Sequence, residues 1–286
     1  MIRKPCVAGQ FYPPKFKELE NLIIKCFKHR LGPGDLPISK RNKNLKAVIV
    51  PHASFSFSGP CAAWGYKEIA ESKFPDTYII LSPNHTGTGK TSTTSHDWET
   101  PFGIVKSNKE LIKQIVSSTE IVDDINPHLY DHATEVQLPF LQFVSKEHLQ
   151  NLKIVPISIR NDINFKDLAL NLKEVLMDYG KPVTFIISSD LTHYGPAFHY
   201  LPFELNKKES LNELDNKIIN LIKKGDPEKL YDFFEETGAT VCGIFPLILI
   251  LNLIKFSEGT LLQYYTSGDL TNNYKNSVGY ASLILR

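Results

Sequence analysis

The sequence predicts a single α/β domain over residues 1–286, in which helices flank a mostly parallel central sheet. Apolar strand-like runs alternate with helical patterns along the whole chain. The strand-like runs are hydrophobic without alternation, which is typical of parallel strands that are covered on both faces. A chain of 286 residues with 42% hydrophobic and 22% charged residues has the composition of an ordinary globular protein with a sizeable core.

Four apolar runs predict the central strands, at residues 45–50, 77–81, 153–159 and 183–187. Two more strands are predicted near the end of the chain, at residues 261–266 and 278–285. A pair of short exposed strands is predicted within residues 98–106, around Pro101 and Gly103.

Hydrophobic residues at helical spacing predict the helices between these strands. The predicted ranges are 15–30, 60–69, 109–117, 136–144, 165–179, 210–224, 227–236 and 245–254. Pro60 suits the first position of its helix, and Gly238 follows the end of another. The helix at 245–254 is apolar all round, so we expect it to be central.

The bulk properties exclude several classes of protein. A net charge of +1 gives no electrostatic reason to expect nucleic acid or an anionic membrane as a partner. The longest apolar run is too short to span a bilayer, and no apolar segment of a signal peptide follows Met1. The four cysteines form no CxxC pair, which argues against a zinc ribbon or a disulfide framework. We therefore expect a cytoplasmic protein without a membrane anchor.

Side chains able to bind metal or transfer protons follow three of the predicted strands. His52 follows the first strand, His85 the second, and Asp190 with His193 the fourth. If these strands are parallel neighbours, their carboxyl ends meet at one crevice, where α/β proteins bind ligands. Two imidazoles from separate strands are typical of non-haem iron, copper or zinc sites.

Such a metal site needs a third ligand, for which Cys242, Asp190 and Glu135 all qualify. Cys242 precedes the apolar helix, and a position near a helix N-terminus lowers the pKa of a thiol. Structural roles compete with this hypothesis, because a lone cysteine is often a core residue and an aspartate often caps a turn. His132 and Glu135 are three residues apart and would share one helix face, where capping is as reasonable as catalysis.

No nucleotide-binding, zinc-protease or serine-hydrolase motif occurs in the chain.

Seven segments of the chain resemble the sequence blocks of the Memo-like family, also known as system protein B of the AmmeMemoRadiSam set. They are VAGQFYP, VPHASFSFSG, LSPNHTG, DHATEVQLPFLQF, ISSDLTHYG, VCGIFP and SGDLTNNYKNSVGYAS. The resemblance is specific because all seven blocks occur in order from the N-terminus to the last predicted strand. It implies a fold similar to that of class III extradiol (LigB-type) dioxygenases, which hold a non-haem iron.

The resemblance also implies roles for individual residues. His52, His85 and Cys242 would be the metal ligands, while Asp190 and His193 would lie beside the metal, with His193 as the acid or base. Cys242 takes the place of the dioxygenases' carboxylate ligand, and this softer ligand set suits copper or redox-active iron. The substitution argues against ring-cleaving activity. The chain also has Asp131-His132-Ala133 where the family often has Glu-His-Ser.

The function expected from these observations is that of a metal-dependent, oxygenase-like redox protein binding iron or copper. In it, Asp190 would orient His193 or a metal-bound water. One alternative is a non-catalytic protein that binds a small molecule, a peptide or a phosphopeptide, with Ser54, Ser56 and Ser58 near a helix start. Another is a metal carrier. The AmmeMemoRadiSam association further implies a radical SAM enzyme as a functional partner, and the sequence leaves the oligomeric state open.

Overall fold

A sheet of twelve strands lies at the centre of the computed structural model, which describes residues 1–38 and 40–286. In chain order the strands are β1 (Ile2–Arg3), β2 (Ala47–Val50), β3 (Thr77–Pro83), β4 (Ser92–Thr93), β5 (Asp97–Thr100), β6 (Gly103–Ser107), β7 (Val122–Asp123), β8 (Lys153–Ile159), β9 (Val183–Ser188), β10 (His193–Tyr194), β11 (Gly259–Thr266) and β12 (Ser277–Leu285).

The centre of the sheet is parallel, and its flanks are largely antiparallel. Strands β6, β8, β3, β9 and β2 are consecutive neighbours and all run in the same direction. On one flank, β12 pairs antiparallel with β2, β10 and β11. On the other flank, β5 pairs antiparallel with β6 and parallel with the short β1. The predicted α/β fold with a mostly parallel central sheet is therefore confirmed.

Helices cover both faces of this sheet. They are α1 (Phe16–Lys28), α2 (Phe55–Glu71), α3 (Lys109–Ser118), α4 (Asn126–Leu129), α5 (Gln137–Val144), α6 (Phe165–Tyr179), α7 (Lys207–Lys224), α8 (Pro227–Thr237), α9 (Ile244–Leu253) and α10 (Ser267–Thr271). None of the helices in the described ranges combines the length and hydrophobicity needed to cross a membrane.

Alternate residues of each central strand enter two separate hydrophobic cores. Ile49 of β2 and Ile187 of β9 pack in the core formed with α3, α6, α7 and α9. Val48 and Ile186 point the other way, into the core formed with α1, α2 and α5. This arrangement explains why the strands are hydrophobic on both faces, and it leaves the carboxyl edge of the sheet to carry polar groups.

Helix α2 begins earlier than predicted, at Phe55 rather than at Pro60, which lies inside the helix. The main-chain N–H of Cys61 donates to the hydroxyl of Tyr265 at 3.2 Å, and that hydroxyl donates to the carbonyl of Phe57 at 2.7 Å. The tyrosine hydroxyl thus replaces the direct helical hydrogen bond between Cys61 and Phe57. As a result, α2 starts immediately after the loop that carries His52.

Candidate metal centre

The three strands that precede the predicted site residues are neighbours in the sheet. Strand β9 lies between β3 and β2, and both pairings are parallel. Val50 of β2 pairs with Ser188 of β9, so His52 and Asp190 follow the strand ends at the same level. The expected convergence of the strand ends on one edge of the sheet is therefore observed.

His52, His85 and Cys242 lie together at this edge, with one potential ligand atom from each within 4.8 Å of the others. The Sγ of Cys242 is 3.0 Å from Nε2 of His52. The rings of His52 and His85 are nearly perpendicular, with centroids 5.1 Å apart. In a tetrahedral site with bonds of 2.0–2.3 Å, neighbouring ligand atoms are about 3.5 Å apart. The three side chains therefore fit a metal ion with little rearrangement.

A chain of hydrogen bonds selects the tautomer of His52. The Oγ of Ser188 donates to the carbonyl of Ala133 at 2.7 Å and accepts from the side-chain amide of Gln137 at 2.8 Å. Because its proton is already used, Ser188 acts as an acceptor toward Nδ1 of His52, 2.9 Å away. Nδ1 therefore carries the proton, and the lone pair of Nε2 faces Cys242. Burial, followed by the nearby imidazoles, holds the pKa of His52 well below its usual value, which keeps the ring neutral.

The Asp131 carboxylate orients His85. Its two oxygens lie 2.6 Å from the main-chain nitrogen and 3.2 Å from Nδ1 of His85. Burial favours a higher pKa for Asp131, but the contacts with His85 and the N–H of Ala133 outweigh it and hold the pKa below its usual value. A carboxylate that accepts from Nδ1 leaves Nε2 of the same ring available to a metal, a common arrangement in metalloproteins.

Cys242 stands two residues before helix α9, as the sequence suggested, but its surroundings do not favour a thiolate. Burial, and then the charge of Asp190, raise the pKa of this thiol well above its usual value. The expected lowering of the pKa by the helix N-terminus is therefore wrong for the metal-free protein, because desolvation is the larger effect. The thiol proton would have to leave when a metal binds, so metal affinity through Cys242 depends on pH.

Asp190 is buried and supports the main chain of His52. Its Oδ1 accepts a hydrogen bond from the N–H of His52 at 2.8 Å. Its own N–H donates to the Sγ of Cys242 at 3.2 Å. Asp190 thus joins two of the three potential ligands. Burial raises the pKa of its carboxyl group, which has no cationic lysine or arginine partner among the described residues.

Main-chain carbonyls, rather than Asp190, orient the ring of His193. Its Nδ1 lies 3.0 Å from the carbonyl of Leu191 and 3.1 Å from that of Thr240. Both partners can only accept, so Nδ1 carries a proton and Nε2 is the basic nitrogen of the neutral ring. His193 also packs edge-on against Phe198, with ring centroids 5.1 Å apart. A positive charge on His193 would lower the pKa of His52, so the two imidazoles are near enough to interact electrostatically.

Sequence comparisons place these residues in a known family. The profile of the Memo-like protein family matches residues 3–284. The chain belongs to the Memo-like family. The chain is 37% identical to a MEMO1 family protein of Methanopyrus kandleri, over 100% of the chain and 99% of that relative. It is 38% identical to one of Sulfolobus acidocaldarius, over 99% of both proteins.

A comparison with solved structures supports the fold alone. The crystal structure of an uncharacterized protein from Escherichia coli K12 matches 85% of this chain and 100% of its own, with a TM-score of 0.56. The sequence identity between the two is 15%. The Memo-like fold is thus shared by a protein of distant sequence.

His132 is a third imidazole at the site of this Memo-like protein, and the sequence left its role open. Its ring stacks on that of His85 at 4.8 Å with an interplanar angle of 3°, and it lies 5.4 Å from the ring of His52. Phe11 packs on it from another side at 4.7 Å. Burial, and then the charge of His85, lower the pKa of His132 to about 4, so the ring is neutral at neutral pH.

Glu135 does not share a helix face with His132, as the spacing suggested, because residues 131–136 precede helix α5 as a turn. The Glu135 carboxylate instead forms a fully buried ion pair with Arg3 and accepts from the hydroxyl of Tyr12 at 2.6 Å. Arg3 also donates to the carbonyl of Asp131 at 2.8 Å. Glu135 is therefore in neither group of potential metal ligands among the described residues; with Arg3 it anchors the segment that carries Asp131 and His132.

The hydroxyls of the three serines near the start of α2 form hydrogen bonds within the protein. Ser58 is buried, and its hydroxyl donates to the carbonyl of Ala53 at 2.9 Å. The hydroxyls of Ser54 and Ser56 bond to each other at 3.3 Å. The first N–H groups of the helix are also used, since that of Phe55 donates to the carbonyl of Phe11. These contacts leave few free donors for a phosphate group.

Proposed function

We propose that this protein is a metal-binding redox protein whose iron or copper ion is held by His52, His85 and Cys242. The observation that carries the proposal is the arrangement of hydrogen bonds on the two imidazoles. Ser188 accepts from Nδ1 of His52, and Asp131 accepts from Nδ1 of His85, so both rings have Nε2 lone pairs to offer. The Cys242 Sγ lies 3.0 Å from the first of these lone pairs.

The chemistry of the three ligands favours iron or copper over magnesium or calcium. Imidazole and thiolate are borderline and soft ligands, whereas Mg²⁺ and Ca²⁺ prefer oxygen. A bound iron or copper ion would supply one-electron chemistry and Lewis acidity at the edge of the sheet. Ring cleavage of the extradiol type is not proposed, because Cys242 stands in place of the carboxylate ligand.

In this proposal His193 is the general base. Two carbonyl acceptors fix its Nδ1–H, which leaves Nε2 to take a proton from a bound ligand. The ring is half-buried, so it can exchange that proton with solvent. Asp190 contributes by holding the main chain of His52 and the thiol of Cys242 in place.

Metal analysis of protein purified without added metal tests the proposal. We expect close to one equivalent of iron or copper in the wild type, and a loss of about tenfold or more in His52→Ala and Cys242→Ser. His148→Ala is the matched control, because His148 packs on Phe74 away from the site and should leave the metal content unchanged. Wild-type metal content in both site variants would refute the proposed ligands.

Absorption and electron paramagnetic resonance spectra under air and under argon then separate the functional alternatives. A metal signal that changes with oxygen or with a reductant supports a redox function. A bound metal that responds to neither supports a carrier. If the purified protein binds no metal but binds a small molecule or a peptide, the non-catalytic alternative replaces the proposal. The partnership with a radical SAM enzyme stays a prediction.

A further inference from the structure

Helix α7 buries a carboxylate that has no part in the proposed metal site. The buried face of this helix consists of Leu211, Asp215, Ile218, Ile219 and Ile222. Asp215 is thus the one charged residue in an otherwise apolar stripe, and its exposed fraction is 0%. Burying a carboxylate in such a stripe is costly unless specific hydrogen bonds satisfy it.

Two hydrogen bonds satisfy Asp215, one of them from the segment that leads into His193. Its Oδ1 accepts from the main-chain N–H of Thr192 at 3.2 Å. Its Oδ2 accepts from the hydroxyl of Tyr264 in β11 at 2.9 Å. Within residues 1–38 and 40–286, no lysine, arginine or histidine forms an ion pair with Asp215. The carboxylate is therefore compensated by an amide and a phenol, and not by a cation.

Strand β12 also holds this segment by main-chain hydrogen bonds. Gly279 accepts from the N–H of Leu191 at 2.8 Å and donates to the carbonyl of Thr192 at 3.0 Å. A Cβ atom at position 279 would lie 2.0 Å from Oδ2 of Asp215, so the carboxylate occupies the space that a side chain would take. The main chain between Asp190 and His193 is thus fixed between Gly279 and Asp215.

We propose that Asp215 is a positioning residue that acts through the Thr192 main chain to fix the segment from Asp190 to His193. Thr192 precedes His193 directly, and the carbonyl of Leu191 in this segment is one of the two acceptors that orient the His193 ring. An ionised Asp215 holds the Thr192 N–H and therefore the direction of the imidazole. The inference rests on the proposed role of His193 as the base.

The hydrogen bond from the Thr192 N–H to Asp215 can be followed through the ionisation of the carboxyl group. Burial raises the pKa of Asp215 to about 6, although the hydrogen bonds from Thr192 and Tyr264 act in the opposite direction. Tyr264 and Tyr200 are the titratable groups whose charge interacts with Asp215, and burial raises the pKa of both, so they stay neutral. Glu213 and Lys217 of the same helix are exposed.

Nuclear magnetic resonance titration of the metal-free protein between about pH 5 and 8 tests the inference. In the wild type, the Thr192 amide shift should show a midpoint at about 6, and the carbonyl carbon of Leu191, which lies in the same peptide unit and accepts from the His193 ring, should respond to the same midpoint. Both responses should be lost in Asp215→Asn. Tyr264→Phe is the control that removes the other hydrogen bond of the carboxylate, and it should keep both responses.

Two outcomes would overturn the inference. One is the absence of an inflection near this midpoint in the Thr192 amide of the wild type. The other is an identical pH response of the Leu191 carbonyl carbon in the wild type and in Asp215→Asn, with thermal unfolding showing that the variant is folded. Because these measurements use metal-free protein, a wild type that binds no metal would refute the proposed function without affecting this result.

Discussion

The Oγ of Ser188 lies 2.9 Å from Nδ1 of His52 and acts as an acceptor there, since its own proton is donated to the carbonyl of Ala133. This contact fixes which nitrogen of His52 faces Cys242. The tautomer of His52, a potential metal ligand, is therefore set by a strand residue that is not itself a potential ligand.

Replacing Ser188 with alanine should weaken metal binding by about 10- to 100-fold, since Nδ1 of His52 loses the acceptor that selects its tautomer. The affinity is measured by competition with a chelator of known strength. Ser158→Ala is the control, because Ser158 is buried in the parallel strand β8 and its hydroxyl has no partner among the described residues. Equal affinities for the two variants would contradict the assigned role of Ser188.

Replacing Arg3 with methionine should destabilise the protein by about 3–5 kcal/mol, because it leaves the buried Glu135 carboxylate without its cation. Chemical denaturation measures the change in the free energy of unfolding. Lys4→Met, which removes an ion pair in which the lysine side chain is 72% exposed, should cost less than about 1 kcal/mol. A similar loss of stability in both variants would show that burial of the Arg3–Glu135 pair is not what matters.

The buried His128 should make stability fall in acid. Burial lowers its pKa from 6.5 to about 4 in the folded protein, so the unfolded chain binds the proton more readily. The stabilising contribution of the neutral ring is complete above pH 6.5, and it is lost as the pH falls from 6.5 to about 4. The total loss is at most about 3–4 kcal/mol. Urea unfolding of the wild type and His128→Gln at several pH values measures this loss of stability. If the stabilities of the two proteins change in parallel with pH, His128 is not its cause.

Replacing Gly279 with alanine should destabilise the protein by about 1–3 kcal/mol, because the new methyl group would collide with Oδ2 of Asp215. Much of this loss should disappear when Asp215 is also replaced by alanine, since the two positions share one space. Thermal or chemical denaturation of the two single variants and the double variant gives the coupling energy. If the losses of stability in the two single variants simply add in the double variant, the methyl group at position 279 does not collide with Asp215.

The sequence predicted the parallel strands and the meeting of His52, His85 and Asp190, because both follow from local hydrophobic patterns and the rule for strand ends. Other features depend on contacts between distant segments. The start of α2 was missed because a hydroxyl from Tyr265 completes its hydrogen bonding. The pKa of Cys242 was predicted in the wrong direction because burial depends on tertiary packing.

The position of His132 could not be predicted for a related reason. Its spacing to Glu135 resembles that of a helix, but Arg3 binds Glu135 and holds the segment as a turn. The pairing joins residues 132 positions apart in the chain. The sequence did contain a sign of a site here, because Asp131 and His132 are adjacent residues with metal-binding side chains. Only the fold shows that they lie next to His85.

The hydroxyl of Tyr265 completes the first turns of α2 next to His52, and Tyr265 belongs to one of the last strands of the chain. A nascent polypeptide therefore cannot complete this helix start until β11 has left the ribosome. Under the proposed function, a metal ion would therefore find its site complete only after Tyr265 has emerged from the ribosome.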